Sequence, residues 1–332
     1  MIQRSDILSM EFLKKSEFTG GYQGMRYRLE GVDGETGRQL KATIWPEPFN
    51  FFTTPPEEKL SDILRAAAEY KKAQPDDDRA ELVGIHLEGP FISSDKKGAQ
   101  NEEYIMPPSA EKLLCWQADA KGLLKLVTIA PELEGAADCI SECRDKLRFS
   151  LGHTGSGYEA ALKAIEAGAD HITHMYNAMP PFLHREPGVI GAAFDKGCYA
   201  ELICDGVHVS PSAVRAAFRL FGDERIILIS DSMEAAGMTE GEYQLGGQKV
   251  YVRGKRAVLS DGTIAGSITP LYSCMLYAVD MGIPLESAIK AATINPCRSI
   301  GIDDEYGSIS IGKRAHLLLA DIDSLDIIRV IK

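Results

Sequence analysis

The chain lacks any long apolar segment. Across its 332 residues, no stretch reaches the roughly 18 uncharged apolar residues that a membrane-spanning helix needs. The first residues, MIQRSDILSMEFLKK, contain neither the apolar run nor the cleavage site of a signal peptide. We therefore expect no membrane partner and a cytoplasmic location.

The sequence also lacks paired cysteines. Its seven cysteines are odd in number and scattered, and none forms a CxxC pair. This pattern argues against a disulfide framework and against a thiolate zinc site.

Basic charge is scarce as well, because 36 Lys and Arg residues stand against 48 Asp and Glu residues and give a net charge of −12. An acidic chain repels nucleic-acid phosphate, and no basic stripe interleaved with aromatic residues reverses that repulsion locally. We therefore expect no nucleic-acid partner.

What the sequence does contain, from about residue 80 onward, is a repeated alternation of short apolar runs with stretches of helical period. The apolar runs cover residues 82–87, 123–129, 147–151, 169–172, 200–204 and 226–229. Helical stretches cover residues 61–72, 157–167, 212–221 and 284–292. This alternation predicts an α/β fold with a parallel sheet and helical crossovers.

The residues that follow the apolar runs favour a closed barrel over an open sheet. Polar side chains capable of chemistry follow almost every run, namely Glu88, His153, His174, Asp205, His208 and Asp231. In a (β/α)8 barrel the carboxyl ends of the strands surround one mouth, so side chains far apart in sequence converge there. We therefore predict a TIM-like (β/α)8 barrel over residues 48–306.

The two ends of the chain follow a different pattern. Residues 1–47 contain alternating segments at 25–29 and 40–45, and residues 307–332 contain an apolar run at 317–320. Such segments, separated by turn-rich residues, are typical of antiparallel strands. We predict one small β-rich appendage built from both termini, and a hairpin at 243–260 inserted between two barrel elements.

Three of the residues at strand ends form a candidate metal site. Each of Glu88, His153 and His174, taken alone, is better explained as a core or loop residue. Because three ends of one barrel can meet in space, the set together favours a divalent ion. A carboxylate and two imidazoles leave one position for water, which is the composition of a catalytic site.

Two further residues have both a structural and a chemical interpretation. Asp231 follows the apolar run IILIS and is either a helix N-cap or a general base beside a metal-activated water. Arg185, in HREPG, either forms a surface ion pair or holds phosphate with its planar guanidinium.

Seven motifs in the chain are similar to those of a known protein family: HLEGPF (86–91), GHTGS (152–156), THMYNAMPP (173–181), REPG (185–188), DGVH (205–208), ISDSM (229–233) and DGTIAGS (261–267). In order and spacing, from about residue 50 to 322, the chain resembles the N-acetylglucosamine-6-phosphate deacetylases of the amidohydrolase superfamily. The resemblance implies a (β/α)8 barrel, usually a homodimer, that hydrolyses the acetamide of N-acetylglucosamine-6-phosphate to glucosamine-6-phosphate and acetate.

The resemblance also implies roles for single residues. Glu88, His153 and His174 would hold one divalent metal ion per subunit, zinc or iron, and Asp231 would be the catalytic acid and base. The amino-sugar phosphate substrate would be bound by Ala99, Gln100, Asn177, Ala178, Arg185, His208, Ile264, Ala265 and Gly266. In many members the counterpart of Arg185 reaches the phosphate in the neighbouring subunit, which would require a homodimer.

The chain departs from the family pattern in two places. The Pro-Gly-Phe-Ile-Asp segment with its His-x-His or Gln-x-Asn continuation is not found, so we expect an atypical first barrel strand, either absent or replaced by residues 40–46. A two-metal site is disfavoured without those ligands. Gln100 stands where several members carry a His that polarises the carbonyl.

Two alternatives to this deacetylase function stay open. The first is a related amidohydrolase that deacylates another N-acyl amino-sugar phosphate. The second is a catalytically silent homologue that binds sugar phosphates, which the atypical first strand motivates. Retention of all three metal ligands and of Asp231 speaks against the silent homologue, because a pure binder needs no base over an open metal position.

Overall fold

A computed structural model describes residues 27–32, 39–44, 49–51, 57–74, 81–321 and 323–331. Two strands come first, β1 (Tyr27–Val32) and β2 (Gln39–Ile44), and they pair antiparallel. The pairing confirms the antiparallel strands predicted near the N-terminus.

The centre of the fold is a parallel sheet of seven strands arranged in chain order. Its strands are β3 (Phe49–Phe51), β4 (Ile85–Glu88), β5 (Leu124–Ile129), β6 (Arg148–Leu151), β7 (His171–Ile172), β8 (Tyr199–Ile203) and β9 (Ile226–Ile229). Within the described residues the ladder runs from β3 to β9 without closing. Beyond β9, Ser232 forms a parallel bridge with Ser267, so another segment continues the order at the carboxyl ends of the strands.

Helices connect the strands, as the alternation predicts. They are α1 (Glu57–Ala73), α2 (Ala110–Asp119), α3 (Ala136–Cys143), α4 (Tyr158–Ala167), α5 (Gly188–Lys196), α6 (Pro211–Phe221), α7 (Leu271–Asp280), α8 (Leu285–Ala292) and α9 (Ile294–Ser299). Proline at the first position of α6 fits a helix start, because an N–H at that position has no partner within the helix and proline carries none. The parallel order with helical crossovers confirms the predicted TIM-like architecture.

The first parallel strand corrects one expectation from the sequence. Residues 40–44 do not supply it, because β2 pairs antiparallel with β1, and residues 45–46 lie outside the described residues. Strand β3 takes that place and pairs in parallel with β4. Its three residues, FNF, are too few for a period of two to stand out in the sequence.

Smaller antiparallel sheets complete the fold. An inserted sheet contains β10 (Gly241–Leu245), β11 (Gln248–Arg253) and β12 (Arg256–Val258), so the hairpin predicted at 243–260 is confirmed and gains a third strand. Near the C-terminus, β13 (Leu317–Ala320) pairs with β14 (Ile327–Ile331). The domain limits 1–47, 48–306 and 307–332, and the joining of both termini in one appendage, stay predictions.

A chain of buried polar side chains runs across neighbouring strands close to their carboxyl ends. His86 Nε2 lies 2.8 Å from Thr128 Oγ1, and Thr128 Oγ1 lies 2.8 Å from Thr173 Oγ1. Thr173 in turn donates to Ser150 Oγ at 2.6 Å. These hydrogen bonds satisfy polar groups that would be costly to bury alone, and they support the residues at the strand ends.

In the described part of the chain, no helix has both the length and the apolar character needed to cross a bilayer.

Candidate metal centre and active site

Glu88, His153 and His174 meet at the carboxyl ends of β4, β6 and β7. Glu88 Oε1 lies 2.8 Å from His153 Nε2 and 3.6 Å from His174 Nε2, and the two Nε2 atoms are 3.0 Å apart. All three side chains are buried. The structure therefore brings together the three predicted ligands, as one group of metal-ligating atoms.

The hydrogen-bond pattern of His153 fits a cation between these atoms. Its Nδ1 lies 2.7 Å from the carbonyl oxygen of Lys96, which can only accept, so Nδ1 carries the hydrogen. A metal ion would therefore meet Nε2 of His153. In the structure the same Nε2 is hydrogen-bonded to Glu88 Oε1 and lies beside His174 Nε2. Ligands at about 2.1 Å from a tetrahedral ion are about 3.4 Å apart, close to the spacing of these three atoms.

The charges of the site also favour a cation. Burial alone would raise the pKa of Glu88, but hydrogen bonds and charges from His153 and His174 hold that pKa well below its usual value. Burial opposes a proton on His174, yet the hydrogen bond and the charge of Glu88 raise the pKa of His174 to about 9. The buried carboxylate thus draws positive charge to the site, which a divalent ion can supply.

Backbone strain marks the same residues. His153 has φ 47°, His174 has φ 31° and Asp231 has φ 51°, all in the left-handed region that residues other than glycine seldom adopt. Each such residue costs on the order of 1–3 kcal/mol, and such strain clusters at functional sites.

Asp231 lies beyond β9 with a buried carboxyl group. Its Oδ1 has no hydrogen-bond partner among the described residues. Burial, and then the charge of Glu88, raise the pKa of Asp231 to about 6, although His174 and His208 act in the opposite direction. A carboxyl group that titrates near neutrality can both accept and return a proton.

The turn that contains Gly266 holds Asp231 in place. The backbone N–H of Ser267 donates to the carbonyl of Asp231 at 2.6 Å. Gly266 has φ 67°, and a Cβ atom there would lie only 2.9 Å from the Asp231 carbonyl oxygen. The turn therefore requires glycine.

His208 has a fixed orientation. Asp205 Oδ2 lies 2.7 Å from His208 Nδ1, and Asp205 Oδ1 accepts from the backbone N–H groups of Val207 and His208. Burial works against the charge of Asp205, but these hydrogen bonds lower its pKa overall.

A cavity of about 380 Å³ opens over the metal-ligating group. The predicted site residues that line it are Glu88, Ala99, Gln100, His153, His174, Asn177, Ala178, His208, Asp231, Ile264 and Gly266. Ala265 does not line the cavity, and is instead buried in a small apolar cluster behind it. Arg185 also lies outside the lining, where it is exposed and 2.5 Å from His184 Nε2.

Sequence reasoning missed several residues of the site. The cavity is also lined by Asp95, Lys96, Gly98, Leu245 and Thr263. Proximity to the predicted Ala99-Gln100 and Ile264 could have suggested four of them, whereas Leu245 comes from the inserted sheet and has no local signal.

Glu201 was also missed, although a carboxylate within the apolar run YAELI is an unusual feature. It is 4% exposed on β8, and its Oε2 accepts from the backbone N–H of His174 at 3.4 Å. Burial, opposed by the charge of His174, raises the pKa of Glu201 to about 8. This side chain supports the strained turn at His174.

Comparison with known proteins agrees with this geometry. Residues 66–332 match the family model described as the amidohydrolase family. The chain belongs to the amidohydrolase family. It is 42% identical over 268 residues to the N-acetylglucosamine-6-phosphate deacetylase of Bacillus subtilis (strain 168), a match that covers 80% of this chain and 68% of that protein. With the deacetylase of Lysinibacillus sphaericus the identity is 38% over 250 residues, covering 74% of this chain and 64% of that relative.

Solved structures give the same picture for this amidohydrolase. The Mycobacterium smegmatis deacetylase, in a variant form complexed with N-acetyl-D-glucosamine-6-phosphate, matches with a TM-score of 0.80 and 33% identity. That match covers 86% of this chain and 74% of the other. The Thermotoga maritima deacetylase matches with a TM-score of 0.78 and 34% identity, over 86% and 76% of the two chains. The resemblance read from the motifs is confirmed, and so is the TIM-like fold.

Proposed function

We propose that this amidohydrolase removes the acetyl group of N-acetylglucosamine-6-phosphate, giving glucosamine-6-phosphate and acetate. The observation that carries the proposal is the meeting of Glu88, His153 and His174 in one cavity with Asp231. The similarity to deacetylases over most of the chain supports the choice of substrate.

Glu88, His153 and His174 would hold one divalent ion, and a carboxylate with two imidazoles suits zinc or iron. When bound, such an ion supplies Lewis acidity that lowers the pKa of a water molecule to roughly 7.

Asp231 moves the protons in this mechanism. Its carboxylate accepts a proton from the attacking water and returns it to the nitrogen of the departing amine. The return is needed because an unprotonated amide nitrogen is a very poor leaving group. A pKa raised to about 6 suits both steps.

Gln100 and His208 are two hydrogen-bond donors that line the cavity, where the tetrahedral intermediate would develop negative charge. Gln100 is buried, and its Nε2 lies 3.2 Å from Glu88 Oε1, so its amide group is held beside the metal-ligating atoms. His208 is fixed by Asp205. Either group can stabilise the oxyanion of the tetrahedral intermediate, and we assign Gln100 the part that a His has in other members.

The substrate phosphate would bind at the turn after β7. His174, Tyr176 and Ala178, at every second position, have left-handed φ values of 31°, 80° and 49°. The N–H groups of His174, Met175 and Asn177 donate to acceptors within the protein, so the N–H groups that this turn offers to an anion are those of Tyr176 and Ala178. The side chain of Asn177 is held at the same turn, since its Nδ2 donates to the His174 carbonyl at 3.2 Å.

We further propose a homodimer in which Arg185 reaches the phosphate bound by the partner subunit. Arg185 is exposed and lies outside the cavity of its own chain. Next to it Phe182 and Leu183 are each 46% exposed, and an apolar pair beside a guanidinium is a composition common at interfaces. Sedimentation should therefore give twice the mass of the chain. A cytoplasmic location stays a prediction.

The proposal is tested by acetate release. Purified protein should release acetate from N-acetylglucosamine-6-phosphate, lose this activity with a chelator and regain it with zinc. Asp231→Asn should lower the rate by about 100- to 10,000-fold with unchanged metal content. Full metal occupancy without turnover of any N-acetyl sugar phosphate would instead identify a silent binder.

A second substrate needs the same assay, because one relative at 36% identity is an N-acetylgalactosamine-6-phosphate deacetylase from Escherichia coli O157:H7. Measuring kcat/KM for both sugar phosphates distinguishes the two, and a higher value for the galactosamine derivative would correct our choice of substrate.

A further inference from the structure

The inserted sheet β10–β12 contacts the cavity through its tight turn. Gly246 and Gly247 have φ values of 57° and 81°, as a two-residue hairpin turn with left-handed residues requires. The turn sets Leu245 opposite Gln248 in the register of β10 and β11. Leu245 lines the cavity, so Gln248 is held at a fixed position close to it.

Gln248 makes a long-range hydrogen bond from that position. Its Nε2 donates to the carbonyl oxygen of Ala99 at 2.6 Å, across 149 positions of sequence. Ala99 also packs in a small apolar cluster with Val250 and Val252 of the same sheet. The inserted sheet thus holds the segment 96–100 by one directed hydrogen bond and by apolar contact.

Segment 96–100 contacts two of the metal-ligating residues. The carbonyl of Lys96 accepts from His153 Nδ1 at 2.7 Å and so fixes the ring with Nε2 towards Glu88. Gln100 Nε2 donates to Glu88 Oε1 at 3.2 Å. Between them, a Cβ atom at Gly98 would lie 3.4 Å from His153 Cε1, so the segment passes close against the ring.

We infer that Gln248 is a positioning residue of the metal centre. Its amide holds Ala99, and segment 96–100 then orients His153 and Glu88. The inserted sheet therefore sets the affinity of the site for its divalent ion. This inference rests on the metal centre of the proposed function and does not depend on which substrate is hydrolysed.

The test uses Gln248→Leu, which keeps the size of the side chain but removes the donor. Zinc affinity is measured by competition with a chromophoric chelator, in the absence of substrate. We expect the affinity to fall about tenfold, the lower end of the range for groups that support metal ligands from outside. Cobalt bound in place of zinc should show an altered visible spectrum, which reports the geometry of the ligands.

Gln117→Leu is the matched control. The Nε2 of Gln117 also donates to a backbone carbonyl, that of Leu124, at 2.9 Å. Leu124 begins β5, so this bond lies at the end of the sheet opposite the cavity. Gln117→Leu should lower the melting temperature while zinc affinity and the cobalt spectrum stay as in the wild type.

Gln248→Glu provides a second variant, because it keeps the shape and replaces the donor by an acceptor that faces the Ala99 carbonyl. It should weaken zinc binding as Gln248→Leu does. Wild-type zinc affinity in both Gln248 variants would overturn the inference, as would an equal loss in Gln117→Leu. If the protein binds zinc in this pattern but hydrolyses no sugar phosphate, the proposed function fails and the positioning role stands.

Discussion

The buried carboxyl group of Asp231 should lower the free energy of unfolding of the metal-free protein at neutral pH. Burial raises its pKa from 3.8 to about 6, so the fold disfavours the charged form. At about 1.4 kcal/mol per pH unit, this shift lowers the free energy of unfolding by about 3 kcal/mol above pH 6. The cost is nearly absent below about pH 4, where the group is mostly protonated in both states. It grows as the pH rises from about 4 to 6, where only the unfolded state has lost the proton, and it is complete above pH 6.

Asp231→Asn removes this charge and keeps the shape. After chelator treatment, we expect the variant to be more stable than the wild type by about 3 kcal/mol at pH 8, with little difference at pH 4. Urea unfolding at both pH values measures the difference. A catalytic group that destabilises its own fold is an example of the trade-off between stability and activity.

Asp205→Asn is a control of opposite sign. Hydrogen bonds to His208 and Val207 outweigh burial and lower the pKa of Asp205, so its charge stabilises the fold above its usual pKa. That variant should lose stability at pH 8. Equal stability of wild type and Asp231→Asn at pH 8, or a gain of the same size at pH 4, would refute the reasoning about Asp231.

Three other substitutions have defined outcomes. Arg185→Ala should raise KM for the phosphorylated substrate about 10- to 100-fold with little change in kcat, as steady-state kinetics would show; an unchanged KM would remove the phosphate assignment. Gly266→Ala should lower the free energy of unfolding, measured in urea, by about 1–3 kcal/mol and should also lower kcat, because its Cβ meets the Asp231 carbonyl. Gly262→Ala has open space around it and should leave kcat unchanged. Thr128→Val leaves buried hydrogen-bond partners of the hydroxyl unsatisfied, so it should lower the free energy of unfolding by about 1–3 kcal/mol. An unchanged free energy of unfolding would contradict the role of the polar chain.

Local patterns in the sequence predicted the strand ends well. Apolar runs followed by polar residues located Glu88, His153 and Asp231, because parallel strands of one barrel place their carboxyl ends at one mouth. The glycine in DGTIAGS located the turn at Gly266, and the resemblance that includes THMYNAMPP named Asn177. In these places the side chain that acts lies within a few residues of the element that positions it.

Contacts between distant segments had no local signal. Strand β3 has three residues, and its pairing with β4 is set by tertiary structure. Leu245 and Gln248 reach the site only because a third strand and a tight turn orient the inserted sheet. Glu201 differs in part, because a carboxylate within an apolar run is a local signal, but its contact with the backbone of His174 is not readable from that run. Each of these depends on packing between elements far apart in sequence.

We propose that hydrolysis requires one divalent ion held by Glu88, His153 and His174. Metal analysis of the purified protein and of His174→Asn, with acetate release measured in the same samples, tests this requirement. We predict one zinc or iron per chain in the wild type, and loss of both ion and acetate release in the variant. Acetate release that continues in the metal-free variant, or a wild type that binds no ion, would contradict the claim.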